Sequence, residues 1–328
     1  MEDESEGEIY ISTMDRMPLN QTRLEPSRST RVGDGSVLGG QSDSRLRLLQ
    51  MERRSTGVTA SSTSKEIVSS PSPSQPLPTD QTFFSNAKSH LLASVRPSAL
   101  AEIELLVLTF CTGLQDAISF PDYHCFASNQ TGNTVFLAVG IVIPEFNGDM
   151  FFTPNIGVAL GLFLAGGYLT GQLSHIVGPR LRLWLILCNL FQTAIVFTAA
   201  AIQYTYGVHH TGVLDLVVIG LLAFASGSQV VQSRSLRMTE ISTAMATAAW
   251  VDLLIDPHLF TIKEKNRPRN RRFFFLITLL AGSLAGAGIY KNAGSDVAIF
   301  VSAGGKALVT LMYFFNGSEQ EKVEEEAV

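Results

Sequence analysis

Eight apolar stretches follow one another through this chain, at approximately 101–120, 125–143, 156–177, 181–204, 213–231, 241–255, 273–290 and 297–315. A helix that crosses a bilayer needs about 20 apolar residues, with a range of about 17–25. Six of the stretches meet or approach that length. Hydrocarbon offers no water to the backbone, so its N–H and C=O groups must pair within the segment. The expected fold is an all-α, polytopic membrane helix bundle. Two stretches behave differently: 241–255 is short, and the first third of 125–143 is polar.

The distribution of charge supports that expectation. The net charge of −5 arises from 24 basic and 29 acidic residues. Residues 1–96 hold 11 basic and 12 acidic residues, and residues 316–328 hold one Lys and five Glu. The stretch 97–315 holds only 12 of each, mostly in short clusters. Three parts follow: a tail over 1–96, a membrane domain over 97–315 and an acidic tail over 316–328. The first tail is rich in Ser, Thr, Arg and Pro, and its run SSPSPSQPLP (69–78) can neither hold a helix nor bury a core, so disorder is expected there. Arg45–Arg54 (RLRLLQMERR) has the pattern of a short basic amphipathic helix. The acidic N-terminus has no apolar stretch behind it, so no signal peptide is expected.

A shift of 114 residues places Gly113 on Gly227, Gln115 on Gln229, and Asn129–Thr134 on Thr243–Ala248. A shift of 116 places LAGGYLTG (164–171) beside LAGSLAGA (280–287). This order suggests an internal duplication, with halves near 97–206 and 212–315. If all eight stretches span, the basic residues fall on both sides. If 125–143 and 241–255 enter and leave by one side, Arg96, Arg180, Arg182, Arg234, Arg237 and the cluster Lys263–Arg272 share the side of the N-terminus. The positive-inside rule favours six spanning helices plus two short broken or re-entrant segments, over seven or eight spans. Both tails are then cytosolic. Halves of three spans must be inverted relative to each other, a plan common among secondary transporters.

Polar groups in such a setting point to function. Asp116, Asp252 and Lys306 are the ionisable residues singled out at membrane depth. Lys306 is expected to face Asp116, or else Asp252, as an intramembrane charge pair that either holds helices together or takes part in transport. Gln115, Asp116, Asn129, Thr131, Asn133 and Gln229 form the candidate substrate-binding set, with Gln130 and Thr134 beside them. Amide and hydroxyl groups at broken helices suit a small solute or a coupling ion. Pro121 is expected to break the first helix. Gly157, Gly161, Gly166, Gly167 and Gly171 recur on one helix, and Gly282, Gly286 and Gly288 on its counterpart, which suits close packing within one bundle. His124 reads as a loop histidine. Cys111, Cys125 and Cys188 lie in apolar runs and suggest neither a disulfide framework nor a zinc site.

No Walker, nucleophile-elbow, zincin or dinucleotide motif is present, so no catalytic residue, metal or cofactor is expected, and the chain is not read as an enzyme. The basic run KEKNRPRNRR (263–272) lies between two membrane stretches and suits anionic lipid, not nucleic acid.

The elements G-x-Q-D-A (Gly113, Gln115, Asp116, Ala117), T-G-N-T (Thr131–Thr134) and G-x-Q (Gly227, Gln229) resemble the YoaK-like family of multi-spanning membrane proteins, known as domain of unknown function 1275. The likeness covers about residues 100–315, and the Ser-rich extension looks like that of a fungal-type member. Where the family has a second Thr-Gly turn, this chain has Met245, Ala246 and Thr247. The resemblance implies a multi-spanning membrane protein and no particular substrate. The expected function is secondary transport of an unidentified small solute, with Asp116 as a candidate proton-coupling group. The alternatives are a non-transporting membrane scaffold or sensor that acts through its cytosolic tail and, third, an intramembrane enzyme. The partners implied are the lipid bilayer and the solute.

Overall fold

The computed structural model describes residues 88–148, 150–209, 212–261 and 266–318. The readings for residues 1–87, His210, residues 263–265 and the acidic end from 319 fall outside the described residues. The described chain is helical and carries only isolated β-bridges. In order the elements are α1 (Ala99–Tyr123), α2 (Gln130–Val142), α3 (Thr153–Val177), α4 (Arg182–Tyr206), α5 (Val213–Ser235), α6 (Ala246–Leu254), α7 (Arg267–Ala293) and α8 (Ser295–Met312). Short 3₁₀ turns follow α2 at Pro144–Phe146 and α8 at Tyr313–Phe315.

Six helices are long and apolar enough to cross a membrane: α1, α3, α4, α5, α7 and α8 with its 3₁₀ extension. The protein is an integral, multi-pass membrane protein with an all-α bundle. α2 and α6 have 13 and nine residues, which is roughly 20 Å and 14 Å at about 1.5 Å per residue and short of a core about 30 Å thick. The contacts on either side of α2 show where it runs. Ser128, just ahead of α2, donates its backbone N–H to Asp116, about two turns back from the end of α1. The chain then returns to the side it came from, because Asn155 at the start of α3 donates to the Tyr123 carbonyl at 2.8 Å. The segment around 125–143 is therefore re-entrant.

Local chemistry sets the helix ends. Ser98 caps α1 by accepting from Ala101 N–H at 3.2 Å, Asn129 caps α2 through Gly132 N–H, and Asn266 caps α7 through Arg269 N–H. α1 runs two residues beyond Pro121, contrary to the expected break. Proline in a last turn forfeits one backbone bond, and His124 stops the helix in the left-handed conformation at φ 53°. The segment expected as helix over 241–255 begins only at Ala246, after an irregular stretch in which Arg237 and Thr243 have positive φ. The basic run after Asn266 belongs to the first turns of α7, where Arg269 donates to the carbonyls of His258 and Thr261.

We call the face where α1 starts the near face and its opposite the far face. At the near face, the segments before α1 and after α8 are tied together. Val95 bridges Ser318, Arg182 donates to the carbonyls of His90 and Asn316, and Asn316 donates to Glu104 Oε1 at 2.7 Å. At the far face, Gln203 of α4 accepts from Tyr123 and donates to Asp122 and Ser295.

The helices pair crosswise. A Cβ at Gly113 of α1 would strike the Leu279 carbonyl of α7, and one at Gly227 of α5 would strike the Phe163 carbonyl of α3. Gly282 of α7 lies against the Phe110 carbonyl of α1, and Gly166 of α3 against the Phe224 carbonyl of α5. Each contact has a counterpart 114 or 116 residues away. Only part of the glycine series packs this way, since Gly157, Gly161 and Gly288 face open space, as lipid-facing positions do. α1 and α5 are the most enclosed spans, and α3 and α7 the least.

Candidate functional site

The two broken elements meet at one cavity of about 910 Å³. One wall is the turn 128–132 that opens α2, and another is the turn 244–248 that opens α6. Between them lie Gly113 and Asp116 of α1, Phe163 of α3, Val230 of α5, and Leu279 and Ser283 of α7. Helix N-termini carry unpaired N–H groups and a partial positive charge, and the first residues of both α2 and α6 line this space.

Asp116 fixes the first turn. Its carboxylate accepts from Ser128 N–H at 2.8 Å and from the Ser128 hydroxyl at 2.5 Å. Asn133 is buried beneath the turn, accepts from Phe126 N–H at 2.9 Å and donates to the Phe126 carbonyl at 2.7 Å. It closes the loop instead of facing the cavity. Asn129, Gln130 and Thr131 do line the cavity. In the second turn Ser242 takes the corresponding role by accepting from Met245 N–H and donating to the Met245 carbonyl.

Gln115 and Gln229 lie inside the bundle, behind the cavity wall. Gln229 donates to Thr112 Oγ1 at 2.9 Å and to the Leu108 carbonyl at 3.3 Å. Gln115 donates to Ser302 Oγ at 2.8 Å and accepts from Ser226 at 3.5 Å. Each glutamine thus reaches a hydroxyl on the other's helix, and the residues of the two pairs are 114 apart in sequence.

The expected charge pair does not form. Lys306 meets neither Asp116 nor Asp252. Asp116 is occupied by Ser128, and half-exposed Asp252 lies at the near face 3.6 Å from Arg272. Lys306 is fully buried and donates instead to the amide oxygens of Gln229 and of Gln192, the latter at 3.4 Å. Amide oxygens satisfy an ammonium as a carboxylate would, without adding a second charge to be desolvated.

Sequence reasoning missed most of this inner network. Gln192 donates to Ser228 Oγ at 3.0 Å and Gln232 Oε1 at 2.7 Å, and Asn189 donates to the Lys306 carbonyl at 2.7 Å. The i, i+3 spacing of Asn189 with Gln192 and of Gln229 with Gln232 was the available signal, because it sets two amides on one helix face. Glu104 was missed as well. It is buried in α1, and its Oε1 accepts from Asn316.

No curated protein and no solved structure matches this chain. One family model does, over residues 105–312, which takes in most of α1, all of α2 to α8 and the cavity. The family is described as "Protein of unknown function (DUF1275)", and this chain belongs to it.

Proposed function

We propose that this protein is a secondary transporter of an unidentified small solute, which binds in the cavity between the two broken elements and leaves unchanged. The observation that carries this reading is the 910 Å³ cavity itself, lined by Asp116 and by the opening turns of two short helices. Non-helical backbone at membrane depth is tolerated where it is buried or borders a water-filled space, and half-helix ends beside such a space are a recurrent transporter site. A scaffold has no need of this space, and a bundle of this size would be more stable with it filled.

The crosswise contacts support an inverted duplication. α1, α3 and α4 correspond to α5, α7 and α8, which run in the opposite sense through the bilayer. In this reading the near face, with Arg180, Arg234, Arg237 and the arginines opening α7, is cytosolic. The two halves exchange conformations to open the cavity first to one side and then to the other. Comparison of untargeted metabolite uptake in cells with and without the correctly inserted protein tests the reading. A solute that accumulates only with wild-type protein, and not with Asp116→Asn, supports it. Equal uptake of every solute rejects it.

A further inference from the structure

Lys306 lies at the centre of the bundle, away from the cavity wall, and its ammonium meets no carboxylate among the described residues. An ammonium in so dry a place is costly and marks a functional group by default. Its acceptors are two amide oxygens. Gln229 spends its nitrogen on Thr112 and Leu108, and Gln192 spends its own on Ser228 and Gln232. Both amide oxygens are thereby turned toward Nζ. The titratable groups facing Lys306 are two thiols, Cys111 from α1 and Cys188 from α4. α5 faces it with Gln229 and no charged group.

Positions 192 and 306 are 114 apart, as are Thr112 and Ser226, and Gln115 and Gln229. One half thus carries an amide where the other carries a cation. Exchange of conformations between the halves gives Lys306 the surroundings that Gln192 has now, with each neighbour replaced by its counterpart. Ser228 becomes Leu114, Gln232 becomes Ile118 and Cys188 becomes Ser302. Lys306 then keeps Gln192, whose contact with it maps onto itself, but loses Gln229 and meets an apolar wall on α1.

We propose that Lys306 is the proton-carrying group of the transport cycle: protonated in its amide cage in this conformation, and neutral against Leu114 and Ile118 in the other. This rests on the alternating-access reading above. In the step itself an N–H bond of the ammonium breaks, its electron pair stays on Nζ, and the proton passes to water. The return step reverses it. Coupling therefore runs through Lys306 and not through Asp116, whose carboxylate is engaged with Ser128.

The proton alone serves as the probe. Full-length protein in proteoliposomes on a solid-supported membrane is given an acidifying jump without solute, and the transient current of proton binding is recorded. Wild-type protein and Arg272→Ala, at the near face, are expected to give the current. Lys306→Gln, which copies the amide at 192, and Lys306→Arg, whose guanidinium keeps its proton, are expected to fall to the level of empty liposomes while eluting as monodisperse protein. A current that survives Lys306→Gln overturns the proposal. Labelling of Thr131→Cys from the two faces judges transport separately. Labelling from both faces with a current indifferent to Lys306 leaves the transporter and removes this role. Labelling from one face alone removes the transporter.

Discussion

Replacing Gly227 with alanine tests the crosswise packing of the bundle. The added Cβ would meet the Phe163 carbonyl oxygen, with its carbon and Cα close behind, nearer than real Cβ atoms come to their neighbours. All three atoms are backbone, so no side chain can rotate away and α3 and α5 must separate. Overpacking of this kind costs about 1–3 kcal/mol. Separation also weakens the Cα–H···O contacts of a close helix pair, worth about 0.5–1 kcal/mol each. The expected loss is therefore about 2–4 kcal/mol. Gly282→Ala on α7 meets the Phe110 carbonyl in the same way and is expected to cost as much. Gly157→Ala and Gly288→Ala face open space and serve as controls. The assay is thermal unfolding of detergent-solubilised full-length protein, followed by the fraction that still elutes as monodisperse species. If Gly227→Ala and Gly282→Ala melt together with the two controls, the helix pairing described here is wrong.

Gln229→Leu removes a polar partner of buried Lys306 and is expected to destabilise by about 3–5 kcal/mol, as breaking a buried charge's contacts does. Adding Lys306→Met should recover much of that loss, and a double-mutant cycle in the same unfolding assay measures the coupling. Asn133→Ala frees Phe126 N–H and C=O, so proteolysis or hydrogen exchange of the 124–130 turn should quicken while the six spans stay protected. Arg272→Ala should shift stability by no more than about 1 kcal/mol, because its partner Asp252 is half-exposed. The turn ahead of α7 is expected to respond to acid. The His258 N–H and Asn266 hold the Asp256 carboxylate below its ordinary value of 3.8. The order it lends is complete above that value and is lost as pH falls through the lower value of the folded state. Hydrogen exchange of this turn in wild type and Asp256→Asn checks it, and the difference should vanish at low pH.

The spans were legible because hydrocarbon imposes a length and a composition that few other environments do. The two short elements were legible for the same reason in reverse: Asn129, Thr131 and Asn133 make the start of α2 too polar to cross, and α6 is too short. The partner of Lys306 was not legible. Periodicity places a residue on a helix face, but which face of which neighbour it meets depends on helix rotation and crossing. Coulomb's law favoured Asp116, and desolvation favoured the glutamines that the fold supplies. Nor could the sequence divide the polar cluster at 129–134 into Thr131, which lines the cavity, and Asn133, which stitches the loop behind it. The end of α1 illustrates a smaller lesson. Pro121 drew attention as a breaker, whereas His124, which can adopt positive φ, sets the end.

Access to the cavity from both sides is the central claim, and cysteine labelling tests it most directly. With Cys111, Cys125 and Cys188 replaced, single cysteines at Thr131 and Thr247, both exposed and facing each other's turn across the cavity, are challenged with a membrane-impermeant maleimide from each face. The account predicts that both positions react from both faces and that trapping either conformation abolishes reaction from one of them. Reaction from one face under every condition would contradict it.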